Sequence, residues 1–264
     1  MINKLVKLLI NFFSSIIRQN DVSLKYLYTK ALKKETVSFF ENDYQSTYPH
    51  IEKSCDLIKK YEKQNAYILD VGAASATTAK LFRDFCPQTP LVLFEPLPEN
   101  YKFLDSFVSQ NKNVQIIKKA VGNKSEKIKI IRTNRITSSS ILPHSKNIEG
   151  EFLKDALIKK EEIEIDIIKL DDEISIDKEI ALLKIDVQGY ELEVLRGGTE
   201  TLKRTSFITL ELSNHQSYEG APMYYELDEY LRNSGFKLYD MIISIRNNGM
   251  ASEWDAIYIN KKLL

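Results

Sequence analysis

Short apolar runs alternate with amphipathic stretches along this chain from about residue 65 onward. Each apolar run is long enough for one buried strand, and each amphipathic stretch repeats its apolar residues at helical spacing. The predicted strands are 68–73, 91–95, 114–121, 180–187 and 207–212, and the predicted helices are 77–85, 99–110, 192–202 and 224–233. Such alternation is typical of an α/β fold with a parallel sheet and right-handed crossovers.

Two regions depart from this alternation. Residues 128–141 alternate isoleucines with basic residues and end in the polar cluster TNRITSSS, and residues 163–170 carry a second alternating apolar run. We expect these two runs to pair as a hairpin or edge-strand insertion. The apolar runs at 236–241 and 256–259 follow the last predicted helix, so they predict an antiparallel hairpin at the sheet edge.

The first 20 residues have apolar positions at helical spacing, with Lys4, Lys7 and Arg18 beside them. The run is too short and too interrupted to span a membrane, and no small-residue cleavage site follows it. We expect residues 1–60 to form a helical extension and residues 61–264 to form the main domain. The extension would pack on its own domain or on a partner subunit of a homo-oligomer; alternatively, residues 1–20 contact a membrane surface.

Composition excludes few functions. The 264 residues, 43% of them hydrophobic, suffice for one large core. Lys and Arg total 37, as do Asp and Glu, so no basic footprint favours a nucleic-acid partner. Cys55 and Cys86 are not in CxxC spacing, and we expect both to be reduced and structural. A reducing compartment, the cytoplasm, is therefore predicted.

The stretch YILDVGAASATT is the most informative of the chain. Its strand carries Asp70 near the carboxyl end, and Gly72 permits a tight turn and close backbone approach. The run AASATT opens a helix whose first N–H groups and positive dipole end face a ligand. Glu95 ends the next apolar run, where an α/β sheet offers a carboxylate to both ribose hydroxyls. Together these residues predict an adenosine-containing cofactor.

The full dinucleotide fingerprint G-x-G-x-x-G is absent. Ala74 and Thr77 occupy the two later glycine positions. A cofactor with a ribose but no phosphate is therefore favoured, and an NAD-dependent oxidoreductase remains an alternative.

A second group of candidates follows the later strands. Asp186 lies in the block KIDVQGYELEVLRGG at the end of one strand, Glu211 ends the next, and His215 follows in its loop. Ligands of open α/β sheets bind outside the carboxyl ends of strands, so these three could share one rim and supply a general base. Alternatively, Asp186 caps a helix and His215 is a loop histidine. The three could also hold a divalent cation, although we favour a metal-free site because His rarely binds hard cations.

Five ordered blocks resemble the class I S-adenosylmethionine-dependent methyltransferases, and within them the FkbM-type group. LDVGAASATT resembles the cofactor loop and LVLFEPLPENYKFL the second strand with its ribose-binding acid. KKAVGNKS resembles the third strand, SSSIL the Ser-containing active-site loop, and LLKIDVQGYELEVLRGG the most distinctive block. The resemblance extends from about Tyr67 to the C-terminus. It implies a Rossmann-like methyltransferase fold, with a mostly parallel seven-stranded sheet, helices on both faces and an antiparallel edge hairpin.

The resemblance also implies roles for individual residues. Gly72 would approach the methionine part of the cofactor, Glu95 would bind the ribose, and Asp186 would lie beside the sulfonium or the acceptor. The expected cofactor-binding residues are Asp70, Gly72, Ala73, Ser75, Thr77, Glu95, Ala120, Val121 and Asp186. The expected catalytic residues are Asp186, Glu211 and His215, and the expected substrate-binding residues are Ser138, Ser139 and Ser140.

By the same likeness, the protein is an O-methyltransferase that uses S-adenosyl-L-methionine. The acceptor would be a small molecule or glycan, with the hydroxyl on a sugar or on a glycan or glycolipid precursor. Location would be cytoplasmic, or peripheral at the inner face of the membrane. Two residues depart from the family pattern, because Ala76 replaces the usual second Gly of the cofactor loop and Gln188 replaces a Glu. A non-catalytic module that binds the cofactor is therefore a further alternative.

Overall fold

The computed structural model describes residues 48–61, 65–145, 158–247 and 249–264. The strands are β1 (Tyr67–Val71), β2 (Leu91–Phe94), β3 (Val114–Ile117), β4 (Ala120–Val121), β5 (Glu126–Thr133), β6 (Lys159–Ile168), β7 (Ile180–Ile185), β8 (Thr205–Ser213), β9 (Phe236–Asn247) and β10 (Met250–Asn260). The helices are α1 (Pro49–Lys60), α2 (Thr77–Phe85), α3 (Pro98–Gln110), α4 (Leu170–Glu173), α5 (Glu191–Arg196), α6 (Thr199–Lys203) and α7 (Tyr224–Asn233).

Seven of these strands form one sheet in the order β3-β2-β1-β7-β8-β10-β9. The first five are parallel, and β10 runs antiparallel to both β8 and β9. The predicted mostly parallel seven-stranded sheet with an antiparallel edge hairpin is confirmed. The chain order reverses between β1 and β7, and a crevice for ligands is expected outside the carboxyl ends of these two strands.

Alternate residues of the central strands pack on opposite faces of the sheet. Leu69 and Leu183 belong to one apolar cluster, together with buried residues of α5, α6 and α7. Ile68 and Leu182 belong to a second cluster, together with residues of α1, α2 and α3. Burial on both faces explains why β1 and β7 read as nearly continuous apolar runs. The predicted helices on both faces are confirmed.

Helix α1 is the described part of the predicted N-terminal extension. Its Ile51 and Cys55 are completely buried, and Lys53 forms an ion pair with Asp240 of β9. Cys55 and Cys86 are both buried and free. The division of the chain at residue 60 stays a prediction, and the membrane contact predicted for residues 1–20 lies outside the described residues. Among the helices that the structure describes, none is long and apolar enough to cross a membrane.

The insertion predicted from the two alternating runs forms a second, three-stranded sheet in the order β4-β6-β5. Strands β5 and β6 are antiparallel, with Ile130 opposite Ile163. The sequence prediction of a single strand over 114–121 is wrong, because the chain changes sheets between β3 and β4. A short 3-10 turn (Ile136–Ser138) follows β5, and Ser140 then pairs with Ile131 through two backbone hydrogen bonds of 2.8 and 3.2 Å.

The single helix predicted over 192–202 is also wrong. The chain breaks into α5 and α6 at Gly197 and Gly198, and the reason is a close backbone contact. A Cβ on Gly197 would lie 1.9 Å from the carbonyl oxygen of Gly122, which directly follows β4. The glycine pair therefore lets the second sheet pack against the helical layer.

Candidate active site

A cavity of about 470 Å³ opens at the carboxyl edge of the central strands. Its walls come from the turns after β1, β2, β7 and β8, from β4, and from the loop that follows β5. This volume falls in the usual range for small-molecule sites, and its place is the crevice expected from the strand order.

Most of the residues predicted from the sequence line this one cavity. They are Gly72, Ala73, Ser75, Thr77, Glu95, Ala120, Val121, Ser138, Ser139, Asp186, Glu211 and His215. Two predicted residues do not line it. Asp70 is completely buried behind the β1 turn, and Ser140 is buried beneath the loop after β5.

The turn after β1 packs tightly against the turn after β7. Gly72 has a φ of +84°, and a Cβ at this position would lie 1.9 Å from the carbonyl oxygen of Asp186. The N–H groups of Gly72 and Ala73 both donate to the carbonyl oxygen of Phe94, at 3.0 Å each. Glycine is therefore required here by the fold itself, because it brings the turns of β1, β2 and β7 together around the cavity.

Ala76 precedes α2 in a left-handed conformation, with a φ of +63°. This conformation accounts for the glycine that the family pattern has at this position. The side chain of Ala76 is completely buried in the core and does not line the cavity. The alanine therefore leaves the cofactor space open, and its cost is backbone strain.

Replacing Ala76 by Gly is expected to change the free energy of unfolding by less than about 1 kcal/mol. Relief of the left-handed strain, about 1 to 2 kcal/mol, offsets the loss of one buried methyl group, worth about 0.8 kcal/mol. Ala79→Gly is the matched control, because Ala79 is equally buried but lies within α2. It should cost about 2 kcal/mol, from the same methyl group plus helix propensity.

Urea denaturation of both variants measures this difference. An Ala76→Gly variant as destabilised as Ala79→Gly would contradict the assigned strain.

Glu95 joins the turns after β1 and β2. Its carboxylate accepts the N–H of Ala74 and the N–H of Leu97, both at 2.8 Å, and only 4% of the residue is exposed. Burial raises the pKa of Glu95, although the bonds from Leu97, Asn100 and Ala74 act in the opposite direction. A carboxylate has about four acceptor sites, and these three bonds leave one of them for a ligand while Glu95 holds the turn.

Asp70 and Lys184 form a buried ion pair behind the cavity. The Lys184 Nζ atom lies 2.9 Å from Oδ1 of Asp70, 2.9 Å from the carbonyl oxygen of Gly72 and 3.7 Å from Oδ2 of Asp186. Asp70 also accepts the hydroxyl of Thr78 at 2.6 Å. Burial alone would lower the pKa of Lys184, but the carboxylates of Asp70 and Asp186 raise it overall. Asp70 thus supports the turn through Lys184 and does not reach the cavity.

Asp186 projects from the turn after β7, and 46% of its side chain is exposed. The side-chain amide of Gln188 donates to its Oδ1 atom at 2.9 Å. Gln188 in turn accepts the hydroxyl of Tyr218 at 2.6 Å through its side chain, and the hydroxyl of Ser140 at 2.6 Å through its backbone carbonyl. Ser140 therefore connects the loop after β5 to the β7 turn.

Lys184, Gln188 and Tyr218 are functional candidates that the sequence analysis missed. The sequence indicates Lys184 only as a neighbour of Asp186, and Gln188 only as a departure from the family pattern. A lysine that interrupts an otherwise apolar strand is a usable signal, because a buried charge requires a partner. Tyr218 has no sequence signal, since it lies in an irregular loop and is brought to Gln188 by the fold.

Glu211 faces several other carboxylates. Burial, followed by the negative charges of Asp186 and Glu253, raises the pKa of Glu211 well above its usual range. Glu191, which is buried at the start of α5, has its pKa raised to about 7, mainly by burial. Glu191 is therefore largely protonated below neutral pH, and the protonated form of Glu211 is favoured.

His215 lies at the rim of the cavity between hydroxyl groups and a carboxylate. Its Nδ1 atom is 2.9 Å from the hydroxyl of Ser213, and its Nε2 atom is 3.0 Å from that of Ser217 and 3.3 Å from Oε1 of Glu253. The hydrogen bond to Glu253 raises the pKa of His215, and partial burial opposes this effect without cancelling it. His215 is therefore more often protonated at neutral pH than a free histidine.

The cavity carries both carboxyl groups and basic side chains. The carboxyl groups are Glu95, Asp186, Glu191, Glu211 and Glu253, and the basic side chains are Lys119, Arg135, Lys184 and His215. Lys184 is buried and paired with Asp70, so it offers little attraction to the pyrophosphate of a dinucleotide. The volume of the cavity and the buried acid Glu95 together fit S-adenosylmethionine.

Within the described ranges, no group of three or more His, Cys, Asp and Glu side chains is arranged to hold a metal ion. The cation site considered from the sequence for Asp186, Glu211 and His215 gains no support from their geometry.

The strand order and the cavity at its reversal point define a Rossmann-like methyltransferase of class I. Residues 70–238 match the methyltransferase FkbM domain. The chain belongs to the FkbM methyltransferase family, and S-adenosylmethionine is its methyl donor. This membership favours the methyltransferase over the dehydrogenase interpretation of the sequence.

The chain is similar to several named proteins. The 2-O-methyltransferase NoeI of Sinorhizobium fredii is 26% identical over 175 residues, which cover 62% of this chain and 70% of NoeI. The structure of magnesium protoporphyrin IX methyltransferase (ChlM) from Synechocystis, with bound S-adenosylmethionine, is 6% identical and has a TM-score of 0.45 over 91% of this chain and 97% of that one. A methyltransferase structure from Aquifex aeolicus is 12% identical, with a TM-score of 0.40 over 92% of this chain and all of that one (100%).

Proposed function

We propose that this protein transfers a methyl group from S-adenosylmethionine to a hydroxyl group of a sugar or of a glycan or glycolipid precursor. The observation that carries the proposal is the exposed carboxylate of Asp186, which lies in the same cavity as the cofactor turn and the serine-containing loop. The similarity to NoeI, which is named a 2-O-methyltransferase, supports oxygen as the methylated atom.

The cofactor-binding residues follow from the lining of the cavity. We assign the ribose to the remaining acceptor site of Glu95, the adenine to the surface of Ala120 and Val121, and the methionine part to the turn Gly72–Ser75. The carboxylate of Asp186 would stabilise the positive charge of the sulfonium. Asp70 acts only indirectly, through its ion pair with Lys184.

A sugar hydroxyl is a weak nucleophile at neutral pH, so its proton must leave during attack. S-adenosylmethionine supplies an electrophilic methyl group with a good leaving group, and the protein supplies position and a base. Orientation of two reactants can contribute roughly 7 to 11 kcal/mol, and a positioned base about a hundred- to ten-thousandfold. The candidates for this base are the three side chains predicted from the sequence, Asp186, Glu211 and His215.

The geometry favours Asp186 as the base. Nearly half of its side chain is exposed, Lys184 lies 3.7 Å from its Oδ2 atom, and Gln188 donates a hydrogen bond to its Oδ1 atom. Burial and neighbouring carboxylates raise the pKa of Glu211, which favours the protonated form that can donate a hydrogen bond to an acceptor hydroxyl. His215 is paired with Glu253, which favours its protonated form, and a protonated imidazole accepts no proton.

A rim of hydroxyl groups supports a carbohydrate as the acceptor. The side chains of Thr137, Ser138, Ser139, Ser213, Ser217 and Tyr218 line the cavity together with Glu211 and His215. Such groups both donate and accept hydrogen bonds, as a polyhydroxylated ligand requires.

Two measurements test the proposed function. Calorimetry with S-adenosylhomocysteine and with NAD on dialysed full-length protein should show binding of the first and not of the second. Incubation with S-adenosylmethionine and a panel of nucleotide sugars, oligosaccharides and lipid-linked sugars should then release S-adenosylhomocysteine with at least one of them. Turnover only with a non-carbohydrate acceptor would contradict the proposed substrate class, and cofactor binding with no turnover on any acceptor class would favour the non-catalytic module.

A further inference from the structure

The side-chain amide of Gln188 lies between two functional groups of the cavity. Its Nε2 atom donates to Asp186 at 2.9 Å, and its Oε1 atom accepts from Tyr218 at 2.6 Å. An ionised carboxylate only accepts hydrogen bonds, so the amide nitrogen must face Asp186. The amide oxygen is then left for the Tyr218 hydroxyl. The orientation of the amide therefore follows from the chemistry of its neighbours.

The backbone at Gln188 is held in an uncommon conformation. Its φ is +59°, in the left-handed region that non-glycine residues rarely adopt. The carboxyl group of Glu191 accepts the N–H of Val187 at 3.2 Å and the N–H of Gly189 at 3.1 Å, on either side of Gln188. Glu191 is buried and starts α5, so the turn is anchored to a helix. A strained residue that its surroundings fix in this way is characteristic of functional sites.

The same residue also connects to the serine-containing loop. The hydroxyl of Ser140 donates to the backbone carbonyl of Gln188 at 2.6 Å. The Tyr218 hydroxyl, which contacts the Gln188 side chain, lies 3.2 Å from the carbonyl oxygen of Ser138. Position 188 is thus the point where the β7 turn, the loop after β8 and the loop after β5 meet.

We propose that Gln188 is a positioning residue for methyl transfer. In this chain, whose residue 188 departs from the glutamate of the family pattern, it orients the Asp186 carboxylate and the Tyr218 hydroxyl toward one acceptor, and it does so only while its side chain donates a hydrogen bond to Asp186. This proposal rests on the proposed function, and in particular on Asp186 as the base.

Gln188→Glu is the informative variant, because the two side chains have nearly the same shape. The carboxyl group of glutamate replaces the amide group of glutamine, which donates the hydrogen bond to Asp186. A protonated carboxyl group could donate to Asp186 and accept from Tyr218, as the amide does, whereas an ionised one could only repel Asp186. The charged and titratable groups that line the same cavity include Tyr48 before α1, Arg135 after β5, Lys184 on β7, Asp186 on the turn after it, Glu191 on α5, Glu211 on β8, His215 and Tyr218 after β8, and Glu253 on β10. The negative charge of Asp186 beside position 188 favours the protonated form of an introduced glutamate, and this form is lost as pH rises.

The test compares initial rates of Gln188→Glu, Gln188→Met and native full-length protein across pH, with an acceptor that the native protein methylates. Gln188→Met should lower kcat about ten- to hundredfold at every pH, because it loses both side-chain hydrogen bonds. Gln188→Glu should approach the native kcat at low pH and fall behind as pH rises, so its optimum moves to lower pH. Affinity for S-adenosylhomocysteine should change less than about twofold in both, since no contact with the cofactor turn is altered.

Gln110→Glu is the matched control, because it adds the same charge at an exposed position at the end of α3. It should keep the native pH profile. A native profile for Gln188→Glu, or a native kcat for Gln188→Met, would overturn the proposal. So would a parallel loss of cofactor affinity and activity, which would indicate a merely structural role.

If Gln188→Met does not fold, the pH profile of Gln188→Glu tests the proposal by itself. The same folded variant at low pH then serves as the control for its activity at high pH. A full native kcat in Asp186→Asn would instead refute the base assignment in the proposed function, whatever the Gln188 variants do.

Discussion

Lys184→Met is expected to lower the free energy of unfolding by about 3 to 5 kcal/mol. The change leaves the completely buried carboxylate of Asp70 without its charge partner, and an unpaired buried charge is more costly than the pair is worth. It also removes a donor from the carbonyl oxygen of Gly72, so cofactor affinity should fall as well. Urea denaturation and calorimetry with S-adenosylhomocysteine measure the two effects.

The double variant Asp70→Asn with Lys184→Met is the matched comparison. It removes both charges while the introduced asparagine occupies nearly the same volume as the aspartate, and it should recover a large part of the lost stability. Equal destabilisation of the single and double variants would show that the lysine acts through packing and not through the ion pair.

Asp186→Asn is expected to lower kcat by about a hundred- to ten-thousandfold, the usual contribution of a positioned base. The amide preserves the size of the side chain and can still accept from Gln188, so affinity for S-adenosylhomocysteine should change little.

Glu211→Gln and His215→Asn serve as comparisons in the same assay. Both remove a titratable group from the cavity, but the proposed mechanism gives neither the role of base. Each should lose less activity than Asp186→Asn. If Asp186→Asn retains turnover within about threefold of native while His215→Asn or Glu211→Gln does not, the base has been assigned to the wrong residue.

The sheet could be predicted because each of its strands has its own pattern of apolar residues in the sequence. Strands β1 and β7 are buried on both faces, so they read as continuous apolar runs, and β5 and β6 alternate because only one face is buried. The sequence marks the break at Gly197 only by its pair of glycines, and it does not show the reason, which is the approach of the Gly122 backbone. That contact exists only once the two sheets have packed together.

The residues of the cavity also fall into some that the sequence reveals and others that it does not. Glu95 and Asp186 could be found because each directly follows a strand, and the carboxyl ends of parallel strands meet at one edge. The ion pair of Asp70 with Lys184 and the bond between Gln188 and Tyr218 join residues that are distant in sequence, so no local pattern reveals them. For the same reason the sequence predicts cofactor binding by Asp70, whereas this residue is buried behind the turn.

Methyl transfer to oxygen is tested most directly with S-adenosylmethionine that carries a ¹³C-labelled methyl group. The native protein is incubated with each acceptor that stimulates release of S-adenosylhomocysteine, and the product is examined by ¹³C NMR and mass spectrometry, with Asp186→Asn as the control. We predict a single new O-methyl signal on a sugar hydroxyl, absent or strongly reduced with the variant. A labelled methyl group on nitrogen, carbon or sulfur, or an equal O-methyl signal with Asp186→Asn, would contradict the account.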